Sequence, residues 1–234
     1  MIVETVPSRN VFETLISDTN LIGAEMFNDP AGLRLFIGEE ESIENACDQR
    51  RLEFTTVRHC ARLALTLLGV EPAPILRGKD GAPVWPKNVI GSMTHCEGYR
   101  LAVVGYLSEI VSVGIDAEPH LPLPEGVLPV ICVPSEKKML ADLWSSEPNV
   151  HWDRILFSAK ESVYKAWYPL AKRWLDFDEV AIVIDSDAMS FTATFLVPGP
   201  KIEGFEVTRF EGQWTISHAL IVTSVIVGKD SRRN

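Results

Sequence analysis

Residues 152–168, WDRILFSAKESVYKAWY, decide the fold class. Trp152, Ile155, Leu156, Ala159, Val163, Ala166 and Trp167 recur at helical spacing, and Leu170 continues the row. The pattern predicts a long helix from Trp152 to about Tyr168 that buries one face, with Pro169 ending or bending it. Strand-like runs follow: 180–184, 191–197, 205–210, 214–217 and 220–227, each rich in branched and aromatic residues. Working backwards, Phe54, Val57, Ala61, Ala64, Leu65 and Leu68 predict a first long helix over Ile43 to Leu68, stopped by Gly69. Residues 71–86 carry six Pro and Gly and read as a loop with extended pieces. LAVVGYL (101–107) and IVSVGIDA (110–117) then read as an antiparallel pair of strands. The first 40 or so residues read as irregular structure and short helix. Pro119, Pro122, Pro124, Pro129 and Pro134 mark a connection between two halves, and Ser135 to Trp144 reads as a short helix capped by Ser135. Each half is thus a long helix followed by strands, which predicts an α+β fold. A short self-similarity supports a duplication: Ser92-Met93-Thr94-His95 before LAVVGY, and Thr215-Ile216-Ser217-His218 before IVTSVIV.

Composition narrows the function. Hydrophobic residues at 46% with 23% charged are enough for a buried core and exclude wholesale disorder. No apolar stretch reaches the roughly 18 residues of a membrane span. Met1-Ile2-Val3-Glu4 lacks the basic-then-apolar start of a signal peptide. Cys47, Cys60, Cys96 and Cys132 show no CxxC spacing, so they are expected to be reduced thiols of a cytoplasmic protein. A formal charge of -10 disfavours a nucleic-acid partner. An anionic ligand would need positive charge gathered locally.

Four features could carry chemistry. In Gly114-Ile115-Asp116-Ala117-Glu118-Pro119, residues two apart on a strand share a face, so Asp116 and Glu118 present two carboxylates together. A hard cation such as Mg²⁺ would suit them; a solvated strand end is the alternative. In the helix, Ser158 to Glu161 matches a capping box, but the periodicity begins at Trp152 and places Glu161 inside a continuous helix. Glu161 and Lys165 then stand at i, i+4, which an ordinary surface ion pair also explains. In Gly91-Ser92-Met93-Thr94-His95-Cys96, His95 reads as a phosphate ligand, a general base or a core histidine. Cys96 lacks the companions of a metal site or a nucleophile, and Cys60 reads as packing. Arg50, Arg51, Arg58 and Arg62, followed by Arg77 and Lys79, concentrate positive charge on one helix and the loop after it. A solvated helix face or a polyanion site would both produce that pattern.

Taken together, GSMTHC (91–96), VGIDAEP (113–119) and FSAKESVYKAW (157–167) resemble the Sfp-type 4'-phosphopantetheinyl transferases. VRHCARLAL (57–65) and PAPILRGKDGAPVWP (72–86) extend the resemblance, which covers about residues 45–185. It implies two pseudo-duplicated halves, each a long helix on a mainly antiparallel sheet. Residues 1–118 would bind the adenine and 3'-phosphate end of coenzyme A. Residues 119–234 would carry the Lys-Glu-Ser helix, with the active site at the interface. Asp116, Glu118 and Glu161 would hold Mg²⁺ (or Mn²⁺), and Lys160 and Lys165 would contact the pyrophosphate. Arg50, Arg58, Arg77 and His95, with Ser92 among the coenzyme-binding residues, would take the nucleotide end. Asp116, Glu161 and Lys165 are the expected catalytic set. Glu161, or a water on the metal, would take the proton from a carrier-protein serine, which attacks the β-phosphate and releases 3',5'-adenosine bisphosphate.

The implied partners are coenzyme A and acyl or peptidyl carrier domains of fatty acid, polyketide and nonribosomal peptide synthesis, siderophore assembly included, with the enzyme a monomer. Two features depart from the pattern: Arg77 stands where relatives can have Lys, and the net charge fits poorly with an acidic carrier. Apolar residues of the central segment (Leu121, Leu123, Val127, Leu128) are therefore candidates for docking. Rival readings are a Mg²⁺-dependent phosphohydrolase acting on a nucleotide and a coenzyme A- or carrier-binding module without catalysis.

Overall fold

A computed structural model describes residues 10–16 and 19–229. Met1 to Glu4, which bear on the export expectation, lie outside them. The helices are α1 (Glu13–Ile16), α2 (Asp48–Leu67), α3 (Leu128–Ile131), α4 (Pro134–Ser146) and α5 (Trp152–Ala171). The strands are β1 (Ile22–Met26), β2 (Leu76–Arg77), β3 (Pro83–Val84), β4 (Val89–Cys96), β5 (Tyr99–Tyr106), β6 (Ile110–Pro119), β7 (Val180–Asp185), β8 (Ser190–Phe195), β9 (Lys201–Ile202), β10 (Phe205–Glu206), β11 (Arg209–Ser217) and β12 (Leu220–Gly228). This mixture of helices and antiparallel sheets is the expected α+β class. No helix among the described residues is long and apolar enough to cross a membrane.

Two antiparallel sheets carry the fold. One has the order β1-β5-β4 and the other β6-β12-β11-β8-β7. Helix α2 covers the first, burying Cys60, Ala61, Ala64 and Leu65 against Val89, Ala102 and Val104. Helix α5 covers the second, with Trp152, Ile155, Val163 and Trp167 fully inside. Each such side chain contributes roughly 1.5–3 kcal/mol by leaving water. A third apolar layer, including Leu101, Val103, Ile115 and Val222, joins the two sheets. The β4–β5 and β11–β12 hairpins hold the two self-similar segments in corresponding places.

Three expectations are corrected. The strands at 101–107 and 110–117 do not pair: β5 lies between β1 and β4, while β6 pairs with β12, setting Asp116 opposite Thr223. By hydrogen bonding, β6 belongs to the second sheet. Helix α4 is capped at Val133, not Ser135, because Pro134 opens it and the Glu136 carboxylate accepts the Val133 N–H at 2.8 Å. Of the two expectations for Pro169, that of ending the helix is overturned: α5 runs on to Ala171 and stops where Lys172 turns left-handed at φ 52°.

The sheets meet where β4 runs beside β6. No main-chain ladder joins these strands. Instead the Ile115 N–H donates to Ser92 Oγ at 3.1 Å and the Ala117 N–H to Thr94 Oγ1 at 3.2 Å.

Candidate active site

A cleft of about 1050 Å³ opens along this seam, lined by α2, the β2–β3 hairpin, β4, β6 and α5. Its described lining carries six cationic side chains (Arg50, Arg58, Arg77, Lys87, Lys165, Lys172) against three acidic ones (Asp80, Asp116, Glu161). In a chain of net charge -10 this is the local positive concentration that an anionic ligand requires.

The floor is set by the contact of α5 with β6. Gly114 lies so close to the helix backbone at Ser162 and Ala166 that a Cβ would not fit, and Ser112 Oγ donates to Ala166 O at 2.6 Å. Asp116 therefore projects straight at α5. It is buried, and both its oxygens are engaged: Oδ1 by Lys165 Nζ at 2.7 Å and Thr94 Oγ1 at 3.1 Å, Oδ2 by Ser158 Oγ at 2.9 Å. Lys165 also donates to Ile115 O at 3.0 Å, which leaves one of its three N–H donors for a ligand. Glu161, one helical turn before Lys165, accepts no hydrogen bond and makes no ion pair among the described residues. Burial holds its carboxyl above the ordinary range; Lys165 opposes that shift and Asp116 adds to it.

Glu118 departs from this group. Arg154 Nη1 binds it at 2.8 Å, and the same guanidinium donates to Leu121 O and Pro122 O. Burial, then repulsion from Asp116, raises the Glu118 carboxyl to about 7. Among the described residues no three acidic, His or Cys side chains stand close enough to hold a metal ion. The expected triple ligand set is not assembled here, because Lys165 occupies Asp116 and Arg154 occupies Glu118. The donor chemistry of Asp116 and Glu161 nevertheless fits a hard cation: both are oxygen ligands on one cleft, and each repels the other.

Lys160 is not in the cleft. Neighbouring helix residues are rotated by about 100°. Its ammonium accordingly lies on the buried side of α5, donating to Ile131 O, Phe177 O and Val180 O at 2.7, 2.8 and 3.0 Å and pairing with Glu136 at 3.0 Å. The expectation that it contacts a pyrophosphate is corrected on this ground.

The other end of the cleft gathers Arg50, Arg58, Arg77 and His95. Arg50 Nη1 hydrogen-bonds His95 Nε2. Burial and then the Arg50 charge lower the His95 pKa, so its imidazole is neutral here rather than a ready cation. Arg58 donates from Nε to Ile75 O at 3.1 Å and lies over the Phe54 ring at 3.2 Å. Ser92 lines the cleft but already accepts the Ile115 N–H. Tyr168 donates to Asp80 Oδ2 at 2.8 Å, tying α5 to the β2–β3 hairpin. Outside the cleft, Leu121 is exposed, whereas Leu123, Val127 and Leu128 are half-buried.

The sequence reading passed over Arg154, Tyr168 and Lys172 as site residues and took Ser158 only as a cap candidate. With Glu161 and Lys165 they recur at spacings of four, three, four, three and four, a polar stripe opposite the apolar face. That stripe was the available signal.

Two family models match the chain: the 4'-phosphopantetheinyl transferase N-terminal domain over residues 38–105 and the 4'-phosphopantetheinyl transferase superfamily over residues 112–219. The chain is 49% identical to 4'-phosphopantetheinyl transferase Svp of Streptomyces mobaraensis, over 97% of this chain and 89% of that protein. It is 46% identical to 4'-phosphopantetheinyl transferase PptT of Mycobacterium tuberculosis, over 97% and 98%. It is 43% identical to 4'-phosphopantetheinyl transferase Npt of Nocardia iowensis, over 86% and 93%. The chain therefore belongs to the 4'-phosphopantetheinyl transferase superfamily, whose enzymes transfer phosphopantetheine to carrier proteins.

Proposed function

We propose that the donor is coenzyme A, bound with its nucleotide end among Arg50, Arg58, Arg77 and His95 and its diphosphate beside Lys165, and that the acceptor is a serine of an apo carrier domain. On this reading residues 1–118 supply most of the nucleotide site and residues 119–234 the chemistry of α5. The observation that carries it is the Glu161 carboxylate, without a hydrogen bond or ion pair among the described residues, one turn from the Lys165 donor on α5 and facing a cleft rich in arginine.

The serine hydroxyl attacks the β-phosphorus. One P–O bond forms, the bond from that phosphorus to the oxygen bridging to the α-phosphate breaks, and 3',5'-adenosine bisphosphate leaves. Glu161 takes the serine proton. Lys165, held by Asp116 and the Ile115 carbonyl, presents its remaining N–H to the diphosphate. Asp116 and Glu161 would hold Mg²⁺ or Mn²⁺, with Glu118 joining only where Arg154 releases it. When bound, the cation supplies charge neutralisation to the diphosphate.

The carriers of fatty acid, polyketide, nonribosomal peptide and siderophore assembly are the proposed acceptors, with docking near Leu121 and the central segment. Four free cysteines agree with a cytoplasmic setting. The test is mass spectrometry of apo carrier incubated with coenzyme A, enzyme and Mg²⁺. Phosphopantetheine on the carrier serine, abolished by excess EDTA, is expected. Free phosphopantetheine without carrier modification would make the enzyme a hydrolase, and undiminished transfer in EDTA would exclude the metal.

A further inference from the structure

We propose that Glu39, outside the cleft, is the positioning residue that aims Arg58 and roots the Arg77 hairpin for the 3'-phosphate of the donor; this rests on the coenzyme A reading above. Glu39 is wholly buried. Its Oε1 accepts from Arg62 Nη1 at 3.0 Å and the Ile75 N–H at 2.8 Å, with Arg58 Nε at 4.0 Å. Its Oε2 accepts from Arg62 Nη1 at 3.1 Å and the Phe36 N–H at 2.7 Å. One carboxylate thus fastens three pieces of chain that sequence holds apart: the segment around Phe36, the middle of α2, and the residue leading into β2, where Arg77 sits.

The charge arrangement explains why a carboxylate belongs beside an anion site. Arg58 and Arg62 stand one turn apart on α2, both buried, and the Arg62 charge disfavours that of Arg58. Burial first, and then the charges of Arg62, Arg50 and Arg77, pull the Arg58 pKa down to about 10, and Glu39 opposes them. Arg62 engages both oxygens of Glu39 and is further fixed by Arg34 O at 3.0 Å and the Phe36 ring at 4.3 Å. The trio keeps one net positive charge, and that charge is Arg58's. With Nε on Ile75 O and its plane over Phe54, Arg58 leaves Nη1 and Nη2 without a hydrogen bond among the described residues, at the cleft wall. A fork held at its root and free at its tips is suited to bidentate contact with a phosphate. Without Glu39, two like charges would share a buried pocket and Arg58, held by fewer hydrogen bonds, would turn to solvent.

The test compares binding of coenzyme A and of its 3'-dephospho form by calorimetry, together with KM and kcat for transfer, in wild type, Arg58→Ala, Glu39→Gln and Glu39→Asp. Wild type is expected to prefer coenzyme A, and Arg58→Ala to lose that preference. Glu39→Gln should lower the preference by roughly 10- to 100-fold, the worth of one charge-assisted contact, with the loss falling on KM for coenzyme A rather than on kcat. Glu39→Asp, which restores the charge, should recover part of it. Arg58→Ala that keeps the wild-type preference would overturn the placement of the 3'-phosphate itself. Arg58→Ala that loses the preference while folded Glu39→Gln retains it would overturn the positioning role alone. Should Glu39→Gln fail to fold, Glu39→Asp carries the test: its shorter carboxylate should leave the preference below the wild-type value, and an unchanged preference would overturn the positioning role.

Discussion

Gly114→Ala tests whether the approach of α5 to β6 sets the geometry of the site. A Cβ at this position would fall 2.6 Å from Ala166 N and closer still to the Ser162 carbonyl oxygen, where ordinary contact begins near 3.4 Å. Both obstacles are backbone atoms of a packed helix, so no side-chain rotation relieves them. Relieving the Ala166 N contact alone needs about 0.8 Å of separation between strand and helix, and the closer Ser162 oxygen needs more. Lys165 Nζ, now 2.7 Å from Asp116 Oδ1, would then move out of hydrogen-bond range, and Glu161 would withdraw with it. Overpacking of this kind costs about 1–3 kcal/mol of stability. Misplacing reacting groups by about 1 Å costs on the order of a hundredfold in rate. Thermal midpoint and single-turnover phosphopantetheine transfer, measured on the same sample well below the midpoint, read both effects. A lowered midpoint with a hundredfold slower transfer is expected. If the folded variant transfers at the wild-type rate, the helix–strand distance does not position the catalytic groups, and the reasoning fails.

Three further substitutions separate roles along α5 and in the first sheet. Glu161→Gln should slow transfer on the order of a hundredfold or more without lowering the thermal midpoint, because this carboxylate has no hydrogen bond or ion pair to lose among the described residues; near-normal transfer at saturating Mg²⁺ would remove Glu161 from the site. Lys160→Met should cost about 3–5 kcal/mol by leaving Glu136 buried without its cation, while coenzyme A affinity of the folded fraction stays at the wild-type value; a selective loss of affinity would return Lys160 to the ligand. Glu25→Gln tests a pH effect. Burial raises the Glu25 pKa from 4.5 despite the Tyr99 hydroxyl that donates to it, so the folded state holds a proton that the unfolded state has released. Stability from this group falls as pH rises from 4.5 through the folded-state pKa. The wild-type midpoint should therefore decline more steeply over that range than the variant's, and parallel curves would refute the assignment.

Helical periodicity carried most of what was legible. The apolar row from Trp152 identified α5 because one buried face of a long helix leaves a local signature. The same periodicity, applied to the polar residues, would have separated Lys160 from Lys165; reading them together as motif neighbours ignored the rotation between successive residues. Strand pairing was not legible in the same way. The partner of β6 is β12, about a hundred residues later, whereas its neighbour in sequence, β5, pairs elsewhere. Apolar alternation says which face of a strand is buried and nothing about which strand lies beside it. Strand β1 escaped notice because IGAEM is short and contains Gly23, which lets the Phe12 ring pack against its backbone. Arg100, wholly buried and bound to Asp29 at 2.7 Å, gave no sequence signal at all, since its acidic partner sits 71 positions away.

The contact of β4 with β6 has a mechanical consequence. A main-chain ladder resists sliding as a unit, because slipping it by one residue breaks its bonds and turns every side chain to the opposite face. Ser92 and Thr94 replace that ladder with two hydroxyls holding two amides, and Thr94 also donates to Asp116. These side-chain bonds need not break together, so shear between the sheets is opposed by individual bonds and by the apolar layer beneath, not by a cooperative register. The compliant direction of the molecule thus runs along the floor of the cleft, and its stiff elements, α2 and α5, form the jaws on either side.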